Sequence, residues 1–157
     1  MSFLNLLLLR IECSIEMHND IKDWVTRIST PTDLLGGLSV CPYAKGTEYE
    51  LISTDGSDIN PPPWDFELIV YVLPQDYSVS DLFEIASEYN KQYPELVFLP
   101  DHKDRYTEIN GVQTNNGKYN ILLCQWRDNL NKAREKLQTS KYYTYWTTEY
   151  LEEILNT

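Results

Sequence analysis

Histidine is nearly missing from this chain, and histidine-rich metal chemistry goes with it: only His18 and His102 carry an imidazole. Cysteine is also sparse. Cys13, Cys41 and Cys124 are an odd set without zinc or disulfide spacing, so reduced thiols in a cytoplasmic compartment are expected. Positive charge is short, with 13 Lys and Arg against 24 Asp and Glu, a net charge of −11. Such a chain is a poor partner for phosphate backbones or anionic membranes, so neither a nucleic-acid nor a membrane partner is expected. Its acids are scattered among lysines, which reads as a solvated surface rather than an imitation of DNA. No phosphate loop, Gly-x-Gly-x-x-Gly, Gly-x-Ser-x-Gly or paired-histidine zinc helix occurs. Nothing in the sequence therefore asks for a cofactor or a metal.

Long hydrophobic runs are lacking too. Residues 3–11 (Phe-Leu-Asn-Leu-Leu-Leu-Leu-Arg-Ile) are too few to span a bilayer. They lack the preceding positive charge and following small residues of a signal peptide. Two readings of residues 1–16 stay open: an extra buried strand, or a loosely attached extension ahead of a start at Met17. Residues 17–157 read as a single domain, since neither an internal repeat nor a dividing linker is visible.

Enough apolar material is present, 42%, to close one core. Ile21, Trp24, Val25 and Ile28 recur at helical spacing, predicting a helix from Asn19 or Asp20 to Ser29, before Pro31. Residues 47–54 read as a strand and 55–63, with three prolines, as a loop. Residues 66–73 are nearly continuous, apolar and β-branched, which predicts a central strand. Ser78 and Asp81 form a capping box for a helix to about Tyr93, burying Leu82, Ile85, Ala86 and Tyr89. A short strand at 96–99 is expected to end at Pro100, and a longer one at 119–126 follows the turn Asn115-Asn116-Gly117. Two helices close the chain. Asp128 is expected to cap one that buries Leu130, Ala133 and Leu137. Thr147 caps the other, with Trp146 and Leu151 as a hydrophobic staple. The class is α+β: one antiparallel or mixed sheet with helices on one face and two C-terminal helices. With a strand at 4–11 the order becomes βαββαβ, the ferredoxin-like pattern.

Gly36-Gly37-Leu38-Ser39-Val40-Cys41-Pro42-Tyr43-Ala44-Lys45-Gly46 places a reactive side chain beside flexible glycines and a helix-start signal. Pro42 suits a first helical position, which would set Cys41 where free N–H groups and the helix dipole stabilise a thiolate. The plainer reading is a half-buried cysteine opening a tight turn. Cys-Pro-Tyr-Ala also resembles the Cys-Pro-Tyr-Cys site of glutaredoxins, with Ala44 at the resolving cysteine. More widely, residues 38–45 resemble the Leu-x-x-Cys-Pro-Phe-Ala segment of an uncharacterised family of small bacterial proteins, with similar hypothetical proteins in bacteriophages. Trp24, the segment Phe98-Leu99-Pro100-Asp101, the strand 119–123, Arg127 and Ala133 extend that likeness. It implies a fold and a surface with no known reaction.

Pro100-Asp101-His102-Lys103-Asp104-Arg105 leaves a strand for a polar loop. His102 with Asp101 could run acid–base chemistry, or meet Cys41 and activate it, with Arg105 in support; a solvated turn is the alternative. Tyr142, Tyr143, Tyr145, Trp146 and Tyr150 form an aromatic cluster that either faces a partner or packs the last helices onto the sheet. Tyr43 and Lys45, beside Cys41, complete the candidate binding residues. The functional expectation is a non-catalytic domain that binds a protein partner or a small molecule. The alternative is a thiol-dependent enzyme or redox protein using Cys41.

Overall fold

Alternating apolar side chains give the strands two buried faces, and the helices are distributed between them. The computed structural model describes residues 13–157. Their order is α1 (Ile15–Ser29), a 3₁₀ turn (Asp33–Leu35), β1 (Tyr49–Ser53), β2 (Leu68–Leu73), α2 (Val79–Gln92), β3 (Leu96–Asp101), β4 (Glu108–Ile109), β5 (Val112–Gln113), β6 (Asn120–Trp126), α3 (Arg127–Gln138), a 3₁₀ turn (Tyr142–Tyr145) and α4 (Thr148–Leu155). The main sheet runs β1-β2-β6-β3, and β4-β5 form a separate hairpin. β1 is parallel to β2, while β6 is antiparallel to both β2 and β3. Strands β2 and β3 are thus parallel, joined by α2, with β6 inserted between them: a split β-α-β unit.

One face buries Ile69, Tyr71, Leu73, Leu122, Cys124, Leu96 and Phe98 against Leu82 and Ala86 of α2, with Ile85 and Tyr89 packed alongside. The other buries Val70, Val72 and Ile121 against Ile21, Trp24 and Ile28 of α1. Each aliphatic side chain fully buried in this way contributes about 1.5–3 kcal/mol. The α+β class, the mixed sheet and the C-terminal helices are as expected. The helices are not gathered on one face: strands β2 and β6 are apolar on both sides, so both faces must be covered. The expected strand at 4–11 lies outside the described residues. Among those described, no helix is long and apolar enough to cross a membrane.

Local chemistry accounts for most of the boundaries. Ser14 caps α1 by accepting from the Met17 N–H at 3.1 Å, so this helix begins well before Asn19. Cys13 and Met17 already pack against the core, so residues 13–16 belong with α1. Both halves of the Ser78–Asp81 capping box are present. Strand β3 continues through Pro100 to Asp101, because an edge strand needs no N–H on its open side. The Asn90 side chain bonds both main-chain groups of Phe98 on that strand, at 2.7 and 3.0 Å. α3 starts at Arg127 without a side-chain cap. Asp128 sits instead in its first turn, where a carboxylate still complements the dipole. Thr147 caps α4 through the Tyr150 N–H, and Trp146 stacks on Tyr150 at 5.0 Å.

Candidate functional site

Pro42 opens no helix. Residues 41–46 form consecutive turns, with the Ala44 N–H bonding the Cys41 carbonyl at 3.1 Å and the Thr47 N–H bonding the Ala44 carbonyl at 3.3 Å. No helix start therefore favours a thiolate at Cys41, whose own N–H instead bonds the Ile28 carbonyl in the last turn of α1 at 2.7 Å. The N–H groups of Ala44 and Tyr43 do interact favourably with its sulfur, but burial outweighs them and pushes the thiol above its ordinary value. Cys124 lies deep in the opposite core, where burial pushes its thiol up to about 12.

Cys41 lines a cavity of about 580 Å³ on the α1 side of the sheet. Leu99, Leu123 and Gln125 contribute from the strands; Trp24 and Ile28 from α1. α3 adds Leu130, Ala133, Arg134 and Leu137, and the C-terminal segment adds Tyr142, Tyr143, Trp146, Tyr150 and Ile154. Leu130, Ala133 and Leu137, expected in the core, are only partly covered and face this space. The aromatic rings hold one another: Tyr142 and Tyr143 pack edge-on at 4.8 Å, and both meet Trp146 within 5.4 Å. The Tyr142 hydroxyl donates to the Val40 carbonyl, tying the aromatic segment to the strand of chain that leads into Cys41. Burial raises the Tyr142 phenol, so it remains a donor. Tyr150 reaches the Thr114 hydroxyl at 3.3 Å, and the Trp24 indole donates to the Thr114 carbonyl at 2.9 Å.

Tyr43 and Lys45 lie exposed at the rim of the same cavity. Tyr145 points elsewhere, its ring against Gly36, and is 40% exposed. Of the C-terminal tyrosines proposed from sequence, Tyr142 and Tyr143 are partly covered and line the cavity, and Tyr145 is exposed.

His102 does not meet Cys41. In the β3–β6 ladder, Asp101 lies opposite Ile121 and so shares the face that carries Cys41. His102, the next residue, turns to the other face and is 2% exposed. Its Nε2–H donates to the Tyr77 carbonyl at 2.5 Å, and its Nδ1 accepts from the Asp104 N–H at 3.1 Å; the carbonyl partner assigns the tautomer. Neither nitrogen is left for catalysis. Asp101 accepts from Asn115 Nδ2 at 2.8 Å and from Asn116 N and Nδ2 at 2.9 and 2.7 Å, which makes it the anchor of the β5–β6 turn. Arg105 pairs with both oxygens of Glu153 and lies 4.9 Å over the Phe83 ring. It holds α4 in place and gives no support to Cys41.

A larger depression, about 690 Å³, lies where α3 begins, lined by Glu48, Glu50, Asp65, Glu67 and Asp128 beside Trp64 and Lys132. Its carboxylates do not converge, and no group of three or more acidic, cysteine or histidine side chains among the described residues could hold a metal.

The residue that sequence reasoning missed is Arg134. The signal was present: Leu130, Ala133, Arg134 and Leu137 stand at i, i+3, i+4 and i+7, which sets a cation inside an apolar stripe. No protein-family model, curated protein or solved structure matches this chain.

Proposed function

We propose that this protein binds a small, largely apolar molecule in the cavity beneath its C-terminal aromatic residues and performs no chemistry on it. The observation that carries this reading is the cavity itself. It is lined mainly by aliphatic and aromatic side chains, with polar ones such as Thr114, Gln125 and Arg134 among them, and has a volume within the range of small-molecule sites, about 300–1,000 Å³. The occupied nitrogens of His102 and the raised thiol of Cys41 support binding over catalysis. The Tyr142 hydroxyl, taken up by the Val40 carbonyl, supports a small molecule over a protein partner.

A neutral dye that brightens on leaving water, N-phenyl-1-naphthylamine, tests it directly. Titration into the wild-type chain should saturate at one dye per chain with a Kd in about the micromolar range. Ala133→Trp, which fills the space from α3, should weaken the dye by about tenfold or more. Absence of saturable binding to the folded wild type would overturn the reading.

A further inference from the structure

Arg134 occupies a position that an apolar residue would fill better if the cavity were only a gap in packing. Its guanidinium is permanently charged and presents five N–H donors. One nitrogen donates to the Ile154 carbonyl at 2.8 Å. Among the described residues no carboxylate comes within ion-pair distance of it, the ion pairs being Lys103–Asp104, Arg105–Glu153 and Lys118–Asp20. Arg127, the neighbouring guanidinium on α3, spends its donors on the main-chain oxygens of Pro94, Leu96 and Thr157 and is not available to share an anion.

The charge of the lining runs against that of the whole molecule. The chain carries −11 overall, yet the charged residues around the cavity are Lys45, Arg134 and Glu67, two cations against one anion. Glu67 is already engaged, accepting from the Glu48 N–H at 2.6 Å. Burial lowers the Arg134 guanidinium, a cost that an anion bound beside it would relieve. At physiological ionic strength, charges farther than about 8 Å are largely screened, so the remote surface acids do not cancel this local preference.

We infer that the ligand is an amphipathic monocarboxylate, its apolar body lying among Trp24, Leu123, Leu130, Leu137 and Trp146 and its carboxylate taking the open side of the Arg134 fork. The inference rests on the cavity-binding reading above and names its substrate class. Planar carboxylate oxygens match the guanidinium two to two, the arrangement in which this pairing is strongest. Arg134 is partly covered and Arg127 beside it already gives three donors to main-chain oxygens, so the site offers one guanidinium with donors to spare, which suits a single negative charge better than a phosphate.

Matched pairs that differ only in the head group test it: decanoate against 1-decanol, and 1-naphthaleneacetate against 2-(1-naphthyl)ethanol, below their micellar concentrations. Each is followed by displacement of the neutral dye and by calorimetry. Each acid should bind the wild type about tenfold or more tighter than its alcohol, the preference expected of one charge-assisted contact. Arg134→Gln, which keeps a stem and a donor for Ile154, should bind acid and alcohol alike, and Arg134→Lys should recover part of the preference. Circular dichroism confirms that the variants fold. Equal binding of acid and alcohol by the wild type would overturn the head-group assignment while leaving the cavity reading intact. An acid preference that survives in Arg134→Gln would overturn the role of Arg134. Failure of all four compounds and of the dye would overturn the cavity reading and this inference together.

Discussion

At the scale of single residues, opposing influences meet on the sulfur of Cys41. Two backbone N–H groups favour the thiolate, and loss of water favours the thiol more strongly. Native-state alkylation of Cys41 by iodoacetamide near pH 8 should therefore run about tenfold or more slower than in the urea-unfolded chain, read by peptide mass spectrometry. A native rate equal to the unfolded one would restore the case for a reactive cysteine. Asp101 shows the same competition on a carboxylate: burial raises it above its ordinary value of 3.8 and outweighs the donors of Asn115 and Asn116. A raised folded-state value means that the folded chain holds this proton more tightly than the unfolded one. Its contribution to stability is then fully present below about 3.8 and is lost as pH rises through the raised value. Urea melts between about pH 3 and pH 7 should show that slope in the wild type and its loss in Asp101→Asn. The variant should also be weaker at neutral pH by about 1–3 kcal/mol, because its amide presents N–H to the donors of Asn116. Residue types at both places were readable from the sequence. Which neighbours remove the water was not, because those neighbours are distant in the chain.

Among the elements, signals contained within a few residues were the legible ones. Ser78 and Asp81 satisfy each other across one helical turn, and Ser78→Ala should cost about 1 kcal/mol. In a chain of this size that lowers the melting temperature by about 2–4 °C, measurable by circular dichroism. The β2 and β6 strands and the α2 stripe were read for the same reason, their periodicity being local. The start of α1 was read late because its fully buried stripe begins at Ile21, about two turns after the cap at Ser14. The hairpin β4-β5 went unread although Asn110-Gly111 is a turn pair, both with positive φ, of 48° and 85°. Its strands are two residues each, too short for any alternation to register. Pro100 misled for a different reason: proline ends a strand only where its missing N–H is needed, and edge position is a property of the sheet.

For the whole molecule, the cavity exists because segments far apart in sequence are tied together before they fill the space between them. Arg27 bonds the Gln113 and Asn115 carbonyls at 2.6 Å each, Tyr142 bonds Val40, and Arg105 bonds Glu153. A ligand that binds this folded arrangement and not the unfolded chain must stabilise it. The tightest compound of the displacement series, present at 100 times its Kd, should add about 2.7 kcal/mol. That is a rise of about 5–11 °C in the melting temperature, absent in Ala133→Trp. The sequence by itself determined the α+β class, the four strands of the main sheet, the presence of the four helices and the caps at Ser78 and Thr147, because periodicity and capping are settled by neighbours three or four residues away. Only the tertiary structure decided that helices cover both faces, that His102 and Cys41 belong to opposite sides of the sheet, and that Arg134 lines a largely apolar cavity. Alternation along a strand shows that it has two faces, but which helix covers each face, and how much space is left beneath it, depends on packing between residues about a hundred positions apart.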